Sequence, residues 1–196
     1  MHGRASTRDK LPSVGFFPVD RAVSGALDGM HPPIPPTLCD RPNVFTSTER
    51  EEFEAFVVAG GEVESQGLGG RILRAHRLAV TREAGCLLAV AGLKIPENTY
   101  LAKVSMRSGV ELSSGEFSFE LGWVFVHPSA RGRRLSFPLC NPLVSAAEGK
   151  GILATSHTNK EYMHRTLKRL GFERSGQEWE STRDGLPLAL FLRHAV

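Results

Sequence analysis

The chain has 196 residues, a formal net charge of +3 and 41% hydrophobic residues. That composition is enough for an ordinary globular core, and the length predicts one domain with an extension. So mild a charge neither requires nor excludes a nucleic-acid partner, and we expect none. We also expect no membrane span, since no apolar run reaches about 18 residues. The cysteines Cys39, Cys86 and Cys140 are odd in number and widely spaced, which predicts reduced thiols in a cytoplasmic protein.

Residues 1–41 differ in composition from the rest of the chain. Prolines at positions 32, 33, 35 and 36 lie behind a stretch with glycine and serine. Proline favours extended polyproline conformation over helix or sheet. We therefore predict a proline-rich arm or linker over 1–41 and a folded domain over 42–196. A spacer is the favoured interpretation of the arm, and a docking peptide is the alternative.

Two helices are predicted near the start of the domain. Residues 44–45 predict a short first strand, and Ser47 or Thr48 then caps a helix that ends at residues 60–61. A second helical pattern runs from about residue 68. Its apolar positions are Ile72, Ala75, His76 and Ala79.

Two further elements lead into the middle of the domain. Residues 86–93 form a near-continuous apolar run bounded by glycines, which is typical of a buried central strand. Residues 100–106 then predict a short helix that ends at Gly109.

Residues 117–126 alternate between bulky apolar side chains and a second, more open set that includes Glu120 and Gly122. This period of two is the pattern of a strand with one face on a core. Pro128 ends the strand, because proline has no N–H for the ladder. The open face therefore presents one carboxylate, that of Glu120, next to the space left by Gly122.

A basic loop with a glycine follows this strand and comprises Arg131, Gly132, Arg133 and Arg134. The chain after it becomes apolar again and predicts a helix. Loop N–H groups and a helix N-terminus would then point at one place, where the helix dipole favours negative charge. We interpret the loop as an anion site, with a basic surface turn as the alternative. Pro142 is expected to break this helix or to begin a later one.

The last third of the chain predicts a strand, a helix and a hairpin. Residues 152–155 form the strand, and residues 159–170 form a helix that ends in glycine and phenylalanine. Residues 177–181 and 186–192 are strand patterns on either side of an Asp-Gly pair, which is a strong hairpin signal.

This order of motifs resembles the GNAT superfamily of N-acetyltransferases over roughly residues 43–194. The pattern V-x-V-x-P-x-x-R-G-R-x-L at 124–135 is similar to the family's fourth strand and pyrophosphate loop. Arg131 matches the first position of that loop, but Arg134 stands where the family has glycine and Ser136 where it has glycine or alanine. The resemblance implies an α/β (α+β) fold. Its central sheet would be mixed, mostly antiparallel, flanked by helices, and splayed between the fourth and fifth strands.

The resemblance also implies a function, namely transfer of an acetyl group from acetyl-CoA to a primary amine of a small molecule or peptide. Glu120 would be the general base of this acyltransferase (class 2.3.1), acting as a monomer or homodimer. No metal is expected, because the histidines lack ligand spacing. The positions implied for binding acetyl-CoA are Val124, Phe125, Val126, Arg131, Gly132, Arg133, Arg134, Leu135, Ser136 and Asn159.

Three departures from the family pattern leave a second function open, namely the altered loop, Pro142 in the helix after it, and one missing tyrosine. The family often has a tyrosine as general acid five residues before the phenylalanine of the Gly-Phe pair, and this chain has Leu167 there. Tyr162 lies one turn earlier on the same predicted helix. The alternative function is a catalytically weakened protein of the same fold that binds acyl-CoA or acts as a regulatory module.

Overall fold

The computed structural model describes residues 33–61 and 63–196, which form one seven-stranded sheet and five α-helices. The strands are β1 (Thr37–Asp40), β2 (Arg77–Glu83), β3 (Cys86–Lys94), β4 (Phe117–Val126), β5 (Gly151–His157), β6 (Glu173–Glu180) and β7 (Pro187–Arg193). The helices are α1 (Ser47–Ala59), α2 (Leu68–Leu73), α3 (Asn98–Ser108), α4 (Ser136–Ser145) and α5 (Glu161–Arg169). None of these helices is long and apolar enough to cross a membrane.

The sheet is mixed and mostly antiparallel. Its strand order is β1-β2-β3-β4-β5-β7-β6, and all neighbours are antiparallel except β4 and β5, which are parallel. The last hairpin inserts β7 beside β5 and leaves β6 at the edge. This arrangement confirms the predicted fold class.

Helices cover both faces of the sheet. On one face α4 and α5 bury Leu139 and Leu167 against the central strands. On the other face α1 and α2 contribute Phe53 and Ile72, and α3 contributes Leu101 near the β5–β7 half. Burying apolar surface on both faces accounts for the continuous apolar run of β3.

The sheet begins earlier than the sequence predicts. Residues 44–45 lie in a turn, and the first strand is β1, which pairs with β2 and joins Thr37 to Thr81 through their hydroxyls at 2.9 Å. The strand thus lies inside the segment assigned to the arm. It is a short edge strand directly after the prolines, so composition conceals it. Residues 1–32, the greater part of the predicted arm, lie outside the described residues, and the division at 41/42 stays a prediction for them.

The N-cap of helix α1 lies one residue before the first of the two predicted caps, Ser47 and Thr48. Thr46 is the N-cap, and its hydroxyl accepts the Glu49 N–H at 3.2 Å while the Glu49 carboxylate accepts the Thr46 N–H at 2.8 Å. This reciprocal capping box satisfies two N–H groups that the helix leaves without partners.

The helix predicted from residue 68 is too long. Helix α2 ends at Leu73, and Ala79 lies in β2. In β2 the neighbours Leu78 and Val80 pack beside α1 and α2, whereas Ala79 packs on the opposite face. The spacing of Ile72 and Ala79 in the sequence is compatible with a helix. Residue 79 nevertheless adopts a strand conformation, because β2 pairs with β1 and β3.

Helix α4 continues through Pro142, so the predicted break is wrong. Pro142 lacks the N–H that would bond to the Pro138 carbonyl four residues earlier, yet the Ala146 N–H still donates to the Pro142 carbonyl at 3.0 Å. Burial of Leu139, Cys140 and Leu143 on this helix offsets the lost hydrogen bond.

The other elements agree with their predicted positions to within a few residues. They are β3, α3, β4, β5, α5 and the β6–β7 hairpin. The largest difference is β6, which begins at Glu173 rather than at residue 177.

Candidate active site

A cleft of about 1800 Å³ opens where β4 and β5 separate. The two strands pair only between Phe117–Glu120 and Gly151–Leu153, although both continue further. The β5-facing edge of the rest of β4 therefore has no strand partner, and its amide groups are available to a ligand. Val124, Phe125 and Val126 all line the cleft along this edge.

A bulge in β4 sets the geometry at the opening of the cleft. Trp123 has a left-handed φ of 55°, and the β3–β4 register shifts between Val90 and Gly92. Two residues on β4 thus oppose one on β3, which bends and twists the strand. Trp123 packs into the core beneath α1 with a T-shaped contact to Phe53. The core therefore holds the bulge in place.

The basic loop leads from β4 into the N-terminus of α4. Gly132 and Arg134 have left-handed φ values of 81° and 59°. The cap residue Leu135 makes no side-chain capping bond, so the first-turn N–H groups of α4 remain available to an anion. Arg134 thus keeps the backbone conformation for which glycine is suited, at a cost of about 1 kcal/mol for a residue with a Cβ.

The three arginines of the loop have different surroundings. Arg131 and Arg134 line the cleft, together with Gly132, Leu135 and Ser136. Arg133 instead makes a bidentate ion pair with Glu83 on β2, at 2.8 and 2.6 Å, and it does not line the cleft. This pair holds the pKa of Glu83 below its usual value and raises that of Arg133.

Glu120 lies in the same cleft, beside the point where β4 and β5 separate. Its side chain is only 8% exposed. The Lys94 ammonium is 2.7 Å from its Oε1, and the Tyr100 hydroxyl donates to the same oxygen at 3.0 Å. The Tyr100 hydroxyl is also 3.4 Å from Thr155 Oγ1 on β5. Burial and the Glu120 carboxylate hold the pKa of Tyr100 well above its usual value, so its hydroxyl stays protonated.

Gly122 makes space for the Lys94 side chain. A Cβ at this position would lie 2.8 Å from Lys94 Cε and 3.0 Å from Lys94 Nζ. The space that Gly122 leaves next to Glu120 thus holds a second charged group, the Lys94 ammonium. The ammonium also lies 5.3 Å from the Trp123 ring centroid and 5.9 Å from that of Tyr100.

A second cluster of polar side chains, formed by His157, Asp184 and Arg183, lies at the end of β5. His157 is buried, and its Nε2 is 3.5 Å from Asp184 Oδ2 in the β6–β7 turn. Arg183 donates to Asp184 at 2.8 Å and to the Gly61 carbonyl, after α1, at 2.5 Å. Hydrogen bonds from Arg183 and Ser181 lower the pKa of Asp184 to about 2. The hairpin turn is thereby connected to both β5 and the end of α1.

Two sequence-predicted positions lie away from these groups. Asn159 is exposed in the turn before α5 and does not line the cleft. Leu167 is fully buried in the core, so α5 presents no hydroxyl there, whereas Tyr162 is exposed and lines the cleft. Sequence reasoning missed Lys94 and Tyr100, which are neighbours of Glu120 only through strand register and helix packing.

Several solved structures share this architecture. An acyl-CoA N-acyltransferase from Pseudomonas aeruginosa aligns with a TM-score of 0.59 and 19% identity, over 80% of this chain and 97% of that one. A GNAT-family acetyltransferase from Desulfovibrio desulfuricans aligns at 0.57 and 12%, over 82% and 98%. The chain has the GNAT fold. No protein-family model matches the GNAT-fold chain, and no curated protein sequence matches it.

One similar GNAT-fold structure contains a ligand. It is an acetyltransferase from Salmonella typhimurium with acetyl-CoA, and it aligns with a TM-score of 0.55 and 18% identity, over 81% of this chain and 92% of that one. For metals, the described part of the GNAT-fold chain brings together no group of three or more His, Cys, Asp or Glu side chains suited to a metal ion.

Proposed function

We propose that the chain is an acetyl-CoA-dependent N-acetyltransferase that acts on a primary amine of a small molecule or peptide, with Glu120 as general base. The observation that carries this proposal is that Glu120, a nearly buried carboxylate, lies in the same cleft as the uncapped N-terminus of α4 and its basic loop. A base and an anion site in one cleft suit a reaction between an amine and a large anionic acyl donor.

The residues present fit acetyl-CoA. The pyrophosphate needs N–H donors and positive charge, and the α4 N-terminus with Arg131 and Arg134 offers both. The pantetheine arm has amides, and the unpaired edge of β4 at Val124–Val126 offers complementary backbone groups. The Arg133 side chain is engaged with Glu83, so only its backbone can contribute to this proposed site.

Acetyl-CoA supplies an activated acetyl thioester when bound. The chain's own contribution is to hold this ligand and to remove a proton from the acceptor's ammonium group. The neutral amine can then attack the thioester. Glu120 accepts that proton, directly or through a water. Tyr100 donates a hydrogen bond to Glu120 and thereby fixes the carboxylate in one orientation. Tyr100 thus places a hydroxyl beside the proposed base. On α5, Leu167 stands where the family often has a tyrosine.

Two observations favour the alternative of a catalytically weakened protein that binds acyl-CoA. Leu167 provides no general acid, and Lys94 occupies the space beside Glu120. If this alternative holds, the protein binds acetyl-CoA and transfers no acetyl group.

Thiol release from acetyl-CoA, measured against a panel of primary amines, separates the two functions. The panel should include small amines, amino acids and peptides with free N-termini. The proposal predicts amine-dependent thiol release matched by acetylated amine in the mass spectrum. Saturable binding of acetyl-CoA with thiol release no faster than without protein would instead establish the binding module.

A further inference from the structure

The amine in contact with the candidate base belongs to the protein itself. Lys94 Nζ lies 2.7 Å from Glu120 Oε1, and the lysine side chain is 22% exposed. The rings of Trp123 and Tyr100 flank the ammonium at 5.3 and 5.9 Å. A carboxylate with two aromatic faces is a typical environment for binding an ammonium group. The Lys94 ammonium thus occupies a position in the cleft that is suited to binding an ammonium group.

Strand register places Lys94 at this site. Lys94 on β3 pairs directly with Glu120 on β4, and Gly122, two residues further on the same face, leaves the space its side chain needs. The ammonium therefore lies over β4 immediately before Val124–Val126, the edge proposed to hold the pantetheine arm. An amine in this position is next to both the proposed base and the proposed path of the acyl donor.

We propose that Lys94 is a self-acylation site, whose side-chain amine accepts an acyl group from an acyl-CoA thioester bound in the cleft of the same chain. This inference rests on the proposed function. Glu120 takes a proton from the ammonium, the free amine attacks the thioester carbonyl, the Nζ–C bond forms and the C–S bond breaks. Of the two protons lost from nitrogen, one passes through Glu120 to solvent and the other ends on the thiol of free coenzyme A.

Acylation changes the charge beside the base. An amide nitrogen carries no positive charge, so acylated Lys94 no longer forms an ion pair with Glu120. The carboxylate is then free to receive the ammonium of an external acceptor. We therefore expect unmodified protein to start turnover after a lag, and acylated protein to start turnover without one.

The test uses the full chain, acetyl-CoA with an isotopically labelled acetyl group, and peptide mapping by mass spectrometry. Lys103, an exposed lysine on α3, reports ordinary chemical acetylation. Labelled acetyl should appear on Lys94 about tenfold or more faster than on Lys103, because the amine and donor are held together. The rate per protein should not depend on protein concentration and should saturate with acetyl-CoA.

Three variants test the roles of Lys94 and Glu120, and each is checked for folding. Lys94→Arg should remove the label at this position while retaining the charge, and Glu120→Gln should slow labelling of Lys94 by about a hundredfold. Glu97→Gln alters an exposed glutamate of the same cleft and should leave the Lys94 rate unchanged. Melting curves of each variant show whether it is folded.

Binding of acetyl-CoA, measured by calorimetry on the same samples, distinguishes failure of the self-acylation proposal from failure of the proposed function. If acetyl-CoA binds and external amines are acetylated, but Lys94 is labelled no faster than Lys103, the self-acylation is wrong and the proposed function stands. If acetyl-CoA does not bind to the folded protein, the proposed function is wrong and this inference is wrong with it.

Discussion

Glu120 is the residue on which the proposed chemistry of the cleft depends. Its position in the open set of alternate β4 residues was visible in the sequence, but its neighbours were not. Lys94 reaches it from β3 and Tyr100 reaches it from α3, so three separate elements fix one carboxylate. A carboxylate held by an ammonium and a hydroxyl is ordered before any substrate arrives, which favours a role as a positioned base.

Replacing Glu120 with glutamine should lower turnover by about a hundredfold or more at neutral pH, since proton transfer typically contributes 10²- to 10⁴-fold. Affinity for acetyl-CoA should change little, because Glu120 is not among the residues proposed to bind this ligand. The loss should shrink at high pH, where more of the acceptor amine is already neutral. Initial rates of thiol release across pH measure both effects.

The matched control is Glu97→Gln, which removes an exposed carboxylate from the same cleft and should retain turnover close to that of the wild type. Turnover of the Glu120→Gln protein near the wild-type value at neutral pH would remove Glu120 from the role of base.

Helix α4 shows that packing overrides a local signal. Pro142 predicts a break, yet the helix is continuous and buries Cys140 completely. Burial raises the pKa of the Cys140 thiol to about 12, so very little thiolate exists at pH 8. Cys86, by contrast, is exposed at the start of β3.

If α4 is a continuous helix packed on the sheet with Cys140 buried, a thiol reagent at pH 8 should modify Cys86 rapidly. It should leave Cys140 unmodified until the protein is unfolded. Peptide mapping by mass spectrometry after timed exposure measures the two rates. Modification of Cys140 in the native protein at a rate similar to that of Cys86 would show that the helix opens or is broken at Pro142.

The elements that the sequence predicted well share a strong local signal. The alternation in β4, the apolar run of β3 and the glycine at the end of α3 each depend on residues close in sequence. The elements it missed depend on distant partners. β1 pairs with β2 and β2 pairs with β3, and the helical spacing of Ile72 and Ala79 does not reveal this pairing.

The same distinction applies to the candidate site. The basic loop, the β4 edge and Glu120 lie within one stretch, residues 117–136, and could be proposed together. Lys94 and Tyr100 join them only through the β3–β4 register and the packing of α3. The ion pair between Arg133 and Glu83 across 50 residues likewise could not be predicted from the loop alone.

At the scale of the whole molecule, the described part of the chain is organised around one sheet whose first strand was assigned to the arm. Removing residues 1–41 would remove β1, which pairs with β2 and packs Cys39 against the main core. Removing residues 1–32 would leave every described strand in place.

We therefore expect a chain that begins at Pro33 to melt at the same temperature as the full chain. A chain that begins at Pro42 should melt lower, by about 2–4 °C for each kcal/mol that β1 contributes. Differential scanning calorimetry on the three chains measures this. Equal melting temperatures for the chains beginning at Pro33 and Pro42 would show that β1 adds nothing to stability. A large loss on removing residues 1–32 alone would contradict the equal melting temperatures that we expect for the full chain and the chain beginning at Pro33.

The proposed function requires that the cleft between β4 and β5 bind acetyl-CoA through the N-terminus of α4 and the loop before it. The arginines of this loop provide a matched comparison, because Arg131 and Arg134 line the cleft whereas Arg133 pairs with Glu83. Charge-assisted hydrogen bonds to phosphate contribute more than neutral ones, so loss of both cleft arginines should be clearly measurable.

Titration calorimetry of the folded protein with acetyl-CoA is the most direct test. We predict saturable binding at one site per chain, weakened about tenfold or more in Arg131→Gln/Arg134→Gln and by about twofold or less in Arg133→Gln. Failure of the folded wild-type protein to bind acetyl-CoA, or equal affinity in the double variant and the wild type, would contradict the account.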